Sequence, residues 1–147
     1  MSEKMPETEL KEEIKSLLKK REELVLCTCY NNIPRATPME FYQKKDSFDI
    51  YVGLSPGRKV HHIEKNPIVS IGIYTPLKEG KVQGMQITAS GRENVILLRK
   101  GDDGFEAAQK IVRGKRKLIL RVIPQEIDLL DYDFVKKGYA PLQKLKI

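Results

Sequence analysis

Apolar and polar positions alternate along this chain with two periods, and the period of each stretch predicts its element. From Glu7 to Arg21, Leu10, Ile14, Leu17 and Leu18 recur at helical spacing. Glutamates come early in this stretch and Lys19, Lys20 and Arg21 late, as a helix dipole prefers, so residues 1–23 are assigned to an amphipathic N-terminal helix. Period-two or continuously apolar runs then predict strands over 24–30, 35–42, 48–54 and 68–74, a long strand over 82–94 whose apolar register runs on to Leu98, and a last one over 117–130. Turn chemistry separates them: Asn31-Asn32, Lys44-Lys45-Asp46-Ser47, Ser55-Pro56-Gly57, a loop over 75–81, and Gly101-Asp-Asp-Gly104, which precedes a short helix carrying Phe105, Ala108, Ile111 and Val112. Pro34 belongs at the start of its strand, and Pro38 inside the same strand marks an edge or a bulge; Pro124 interrupts the last strand in the same way. Gly91 suggests a further bulge, and the tail 131–147 shows no clear period. The pattern predicts a single all-β domain over 1–147 with helical additions and six strands.

Two stretches carry candidate chemistry. In Tyr51-Val-Gly-Leu-Ser-Pro-Gly-Arg-Lys-Val-His-His-Ile-Glu-Lys-Asn-Pro67 a strand gives way to a turn, a helix starting near Gly57 that Ser55 can cap, and a stop at Asn66-Pro67. Arg58 and Lys59 then fall in the first turn, beside unpaired backbone N–H groups and the positive end of the dipole, which suits a phosphate. Along 82–94, Gln86, Thr88 and Ser90 share one face and Ile87 and Ala89 the other, so the polar face meets either solvent or a polar ligand.

These residues are where a resemblance begins. Ser55-x-x-Arg58-Lys59, the short helix, Asn66-Pro67 and the apolar strand after it resemble the pyridoxamine 5′-phosphate oxidase-like family of FMN-binding split barrels. Leu24 to Phe41 looks like that family's opening hairpin, Met85 to Gly91 its later flavin-contacting strand, and Pro124 to Asp131 its closing strand; the similarity covers residues 24–130. It implies a six-stranded Greek-key split barrel and an FMN site built from Arg35, Thr37, Pro38, Gly53, Leu54, Ser55, Arg58, Lys59 and Gln86. It further implies a homodimer whose second subunit supplies the other wall of the flavin site. The apolar strands 68–74 and 82–98 agree with a dimer if they offer more surface than one chain covers. The implied function is that of a flavin-dependent oxidoreductase acting on a small molecule with an electron donor. The alternatives are FAD, a deazaflavin coenzyme or haem as the cofactor, and a non-enzymatic binding or sensing role. The phosphate-binding C-terminal segment of the pyridoxamine oxidases proper has no counterpart in 131–147.

Composition narrows the alternatives. The net charge is +7 with 27 Lys and Arg, which raises nucleic acid as a partner. The basic clusters Lys19-Lys20-Arg21, Arg113-Gly-Lys-Arg-Lys117 and Lys136-Lys137 are scattered and lack interleaved aromatics, so a solubilising surface is the better reading. His61 and His62, adjacent on a helix, point about 100° apart and fit a solvated or interface pair rather than a metal site. Cys27 and Cys29, two apart in a strand, read as free thiols. No nucleophile elbow or dinucleotide glycine motif occurs, so no catalytic residue is assigned and any redox chemistry falls to a cofactor. Without an apolar run of membrane length or a signal-peptide pattern, the expectation is a cytoplasmic protein that meets no membrane.

Overall fold

The computed structural model describes residues 3–147. Helix α1 (Glu7–Lys20) buries Leu10, Ile14, Leu17 and Leu18, the stripe its spacing requires, and ends at an extended Arg21. The strands follow as β1 (Glu23–Tyr30), β2 (Ile33–Glu40), β3 (Tyr42–Gln43) and β4 (Ile50–Gly53). After helix α2 (Arg58–Lys65) come β5 (Ile68–Tyr74), β6 (Gln83–Ser90) and β7 (Val95–Arg99). Helix α3 (Phe105–Ile111) leads into β8 (Leu118–Val122), β9 (Glu126–Asp131) and β10 (Leu142–Lys146).

Two antiparallel sheets result, one in the order β10-β9-β6-β5-β1-β2 and one in the order β3-β4-β8-β7, and they do not close into a single barrel. Between them lies one main core, with Leu26, Ile50, Val52, Ile71, Ile87, Leu120, Val122 and Ile127 all at 0–1% exposure. A satellite cluster of Tyr51, Leu98, Phe105, Ala108, Val112 and Ile119 forms where α3 covers the far side of the smaller sheet.

The strand count differs from the six expected, for reasons visible in the chain. The apolar register over 82–98 is not one strand. Gly91, at φ +95°, turns the backbone so that β6 stays in the larger sheet and β7 enters the smaller one. Likewise Pro124 sits in neither an edge nor a bulge but where the chain passes from β8 in the smaller sheet to β9 in the larger. The two crossings are tied together, since Ile123 N–H donates to the Asn94 carbonyl and Ser90 N–H to Gln125 Oε1. The tail, which shows no pattern in sequence, contributes β10 against β9. Pro34 and Pro38 do mark an edge strand, β2.

Candidate functional site

The turn that leads into α2 stands where the chain leaves the smaller sheet. Gly53 is the last residue of β4, and the Leu54 N–H extends the ladder by donating to the Leu118 carbonyl. Leu54 itself is buried in the main core at 4% exposure, so its side chain cannot line a ligand site. Ser55, Pro56 and Gly57 follow, all exposed. Gly57 is the N-cap and no side chain caps the helix, so the expected Ser55 cap is absent. The N–H groups of the first turn therefore project unsatisfied beside Arg58 and Lys59, which is the arrangement that receives an anion.

Helix α2 is positioned by its other face. Val60 and Ile63 enter the core, while His62, at 7% exposure, places Nδ1 3.1 Å from the Thr28 hydroxyl on β1. Asn66 Nδ2 donates to the Cys29 carbonyl at 2.8 Å. These two bonds pin α2 to β1. His62 is thus a buried structural residue rather than half of a solvated pair, whereas His61 is exposed and meets the Tyr30 ring edge-on at 5.5 Å. The adjacent positions diverge because helical residues one apart face different directions.

The larger sheet presents the remaining candidates in a register that can be followed strand by strand. Leu26 and Thr28 face inward on β1, and their cross-strand partners on β2 are Thr37 and Arg35. Arg35 and Thr37 therefore lie on the inner face of the edge strand, the face on which α2 packs. Pro38 points the other way. It heads an outer row, Pro38–Val25–Gly72–Gln86–Asp128–Lys144, that crosses the whole sheet. Gln86 is exposed on that outer face, while Met85, Ile87 and Ala89 point into the core. From Pro38 to Gln86 is three strand spacings, about 14 Å.

The basic side chains near the turn and on its neighbouring strands differ in how they are paired. Arg121 is committed to Asp49 Oδ2, at 2.7 and 3.0 Å from two of its nitrogens. That pairing holds the guanidinium pKa above its ordinary value. Arg35, Arg58, Lys59 and Arg116 have no carboxylate within 4.0 Å among the described residues. Arg116 did not emerge from the sequence as a site residue. The only signal was its place in the Arg113–Lys117 basic run, read as surface, yet it lies directly against Gly53.

No family model matches the sequence, and no curated protein is matched by it. Solved structures are matched across most of the chain. General stress protein 26 of Bacillus anthracis str. Sterne superposes with a TM-score of 0.64 at 18% identity, over 94% of this chain and 98% of that one. A pyridoxamine 5′-phosphate oxidase-related, FMN binding protein of Nostoc punctiforme PCC 73102 gives 0.62 at 13% identity, over 95% and 88%. A heme binding protein of Mycobacterium smegmatis gives 0.68 at 13% identity over 92% of this chain, which spans 57% of that longer protein. The chain has the split-barrel fold of the pyridoxamine 5′-phosphate oxidase-related proteins.

Within one split-barrel chain the candidate residues form two groups. Gly53, Ser55, Arg58 and Lys59 stand where the chain leaves the smaller sheet for α2, which packs on the inner face of the larger one. Gln86 and Pro38 stand on the outer face, with the thickness of the larger sheet between the groups. Of the apolar side chains in 68–74 and 82–98, Val69, Ile71, Ile73, Ile87 and Val95 are within 3% of full burial in the chain itself, while Ile68, Tyr74 and Val82 are 46%, 65% and 46% exposed. What the outer face exposes is Ile68, Ser70 and Tyr74 on β5 and Gln86, Thr88 and Ser90 on β6. No helix among the described residues is long and apolar enough to cross a membrane.

Proposed function

We propose that this protein binds FMN in a homodimer and serves as a flavin-dependent oxidoreductase toward a small molecule. The observation that carries the reading is the uncapped first turn of α2 beside Ser55, Arg58 and Lys59, whose free N–H groups and cations suit an anion. The split-barrel fold, shared with an FMN binding protein of Nostoc punctiforme, supports the choice of flavin. When bound, the flavin supplies reversible electron and hydride acceptance, which no side chain of this chain provides. The protein's part is positional. The α2 N–H groups, Arg58 and Lys59 hold the phosphate, Arg35 and Thr37 border the ring from the inner face of β2, and α2 is kept in place by Thr28 and Asn66.

The two-group arrangement supports the dimer. A ligand cannot touch both Lys59 and Gln86 of one chain when the sheet stands between them, whereas the outer face of a second copy can bring its Gln86 and Pro38 to the first copy's phosphate turn. Each flavin would then be walled by two protomers. Free Cys27 and Cys29 agree with a reducing, cytoplasmic setting.

The test is complementation. Lys59→Glu should raise the FMN dissociation constant at least about tenfold, the effect of turning an attractive phosphate contact repulsive. Gln86→Ala should weaken binding on its own. When the two variants are mixed and allowed to exchange subunits, heterodimers regain one intact site if Lys59 and Gln86 of a site come from different protomers. Recovery of about half the wild-type FMN capacity in the heterodimer is expected. Absence of FMN binding by the wild type at tens of micromolar overturns the flavin reading, and binding without recovery overturns the shared site. A Soret band on adding haem, with no flavin uptake, would favour the haem alternative. His61 would then be the exposed candidate ligand.

A further inference from the structure

We infer that Arg116, seated on Gly53, is a phosphate-binding residue of the same anion site as Ser55, Arg58 and Lys59; this rests on the FMN reading and adds a second arm to it. The seat is specific. A Cβ built on Gly53 would lie 2.6 Å from Arg116 Nε, 2.9 Å from Cζ and 3.0 Å from Cδ, so the guanidinium occupies the space that any side chain at position 53 would fill. Gly53 therefore does not present an open surface to a ligand. It presents Arg116.

The loop between α3 and β8 is built to hold that side chain. Gln109 reaches back from α3, with Nε2 donating to the Gly114 carbonyl at 2.6 Å and Oε1 accepting from the Arg116 N–H at 2.7 Å. Gly114, at φ +84°, makes the turn that this closure needs. Arg116 Nε donates to the Arg113 carbonyl at 3.3 Å, a further tie within the same loop. Both Nη groups are left without a protein acceptor, and no carboxylate lies within 4.0 Å among the described residues. Exposed lysines with free ends, such as Lys115 and Lys117, are ordinary. Arg116, intermediate in exposure, differs from them in that its guanidinium is seated on Gly53 with its Nη groups open to an acceptor.

The acceptor the position favours is a phosphate. The β4 ladder alternates, with Val52 and Leu54 facing the core and Tyr51 and Gly53 facing the α3 side. Ser55 follows two residues after that seat, just past the end of β4. A guanidinium offers two parallel N–H donors to two phosphate oxygens, which a lysine cannot match.

Two measurements decide this. FMN and riboflavin are titrated into wild type, Arg116→Ala, Arg116→Lys and Gly53→Ala. Arg116→Ala is expected to weaken FMN at least about tenfold and to leave riboflavin, which lacks the phosphate, unchanged. Arg116→Lys should recover only part of the loss. Gly53→Ala should behave like Arg116→Ala, with the double variant no worse than either. Separately, inorganic phosphate is titrated into 15N-labelled protein while the Gly53 amide and Arg116 Nε–H resonances are followed; saturable shifts at both, lost in Lys59→Glu, are expected. Wild-type FMN binding that Arg116→Ala leaves intact overturns the inference and spares the flavin reading. If the wild type binds no FMN, the flavin reading falls, and the phosphate titration still judges Arg116: no shift at its Nε–H overturns it.

Discussion

Thr28→Val is expected to destabilise the protein by about 1–3 kcal/mol, the cost of leaving a buried polar group without its partner. Thr28 Oγ1 lies 3.1 Å from His62 Nδ1, and the two residues are 3% and 7% exposed. Valine keeps the branched shape of threonine and removes only the hydroxyl, so packing is nearly unchanged while the imidazole nitrogen loses its one protein partner. Asn66, bonded to the Cys29 carbonyl at 2.8 Å, remains as the second tie between α2 and β1, so the helix is loosened rather than released. Urea unfolding should show a lower midpoint with an unchanged m-value. His62→Leu and the double variant complete a cycle. Replacing both partners by apolar groups removes the unsatisfied atom, so the double variant should cost less than the sum of the singles. A Thr28→Val loss under about 0.5 kcal/mol, or an additive cycle, would refute the idea that this bond anchors α2.

Lys81→Met should destabilise at neutral pH, because Asp131, 1% exposed, loses the cation 3.0 Å away and is left with Gln83 Nε2 and the Asp133 N–H as its donors. A loss of about 3–5 kcal/mol applies to a fully buried pair, and the partial exposure of Lys81 places the expectation below that range. Burial opposes the charge on Lys81, but its hydrogen bond to Asp131 and the attraction of Asp131 and Asp133 outweigh it and hold its pKa above the ordinary 10.5. A folded pKa above the unfolded one means that this contribution is complete below pH 10.5 and lost as pH rises through the folded value, so thermal melts at increasing pH should show an alkaline decline that Lys81→Met lacks. Gly91→Ala should cost about 1–2 kcal/mol by forcing a side chain into the φ +95° conformation where the chain changes sheets, read as a lower urea midpoint; no change would mean the crossing tolerates strain.

Elements whose signals are local were legible in the sequence. Helix α1 shows its stripe, β2 its edge prolines, and α2 is bracketed by Gly57 and Asn66-Pro67, with the Arg58-Lys59 turn between. Strand β10 was not legible, because one of its two inward residues is Gln143, a polar side chain buried at 3% and satisfied by Met5 N–H and by the carbonyls of Glu3 and Ala140. An alternation of hydrophobicity cannot reveal a strand whose core position is a hydrogen-bonded glutamine. The sheet changes at Gly91 and Pro124 were hidden for another reason. Both sheets face one core, so the inward apolar register runs through the crossing without a break. In the candidate site, the turn could be read because it is contiguous, whereas Arg116 against Gly53 and His62 against Thr28 are contacts made only by folding.

The larger sheet leaves little choice about how a second copy would meet it. Its edges are guarded: β2 carries Pro34 and Pro38, which withhold N–H groups, and β10 sets exposed Lys144 and Lys146 on the other side. Edge-to-edge pairing is disfavoured at both. The outer face is different, since Cys27, Ser70 and Thr88 form one row and Val25, Gly72 and Gln86 the next, mostly small side chains that allow close approach, bordered by Ile68 and Tyr74 at 46% and 65% exposure. Ser70→Lys tests this face. The position is exposed within β5, so the isolated fold should lose no more than about 1 kcal/mol, the span of strand propensities. In a two-fold contact across this face the lysine would be stripped of water, and its copy on the other protomer would approach with the same charge. Sedimentation equilibrium should then show a monomer under conditions in which the wild type is expected to dimerise, and FMN should be lost with the dimer although Ser55, Arg58 and Lys59 are untouched. A Ser70→Lys protein that stays dimeric would move the interface elsewhere, and a monomer that keeps FMN at wild-type affinity would mean one chain supplies both walls of the site.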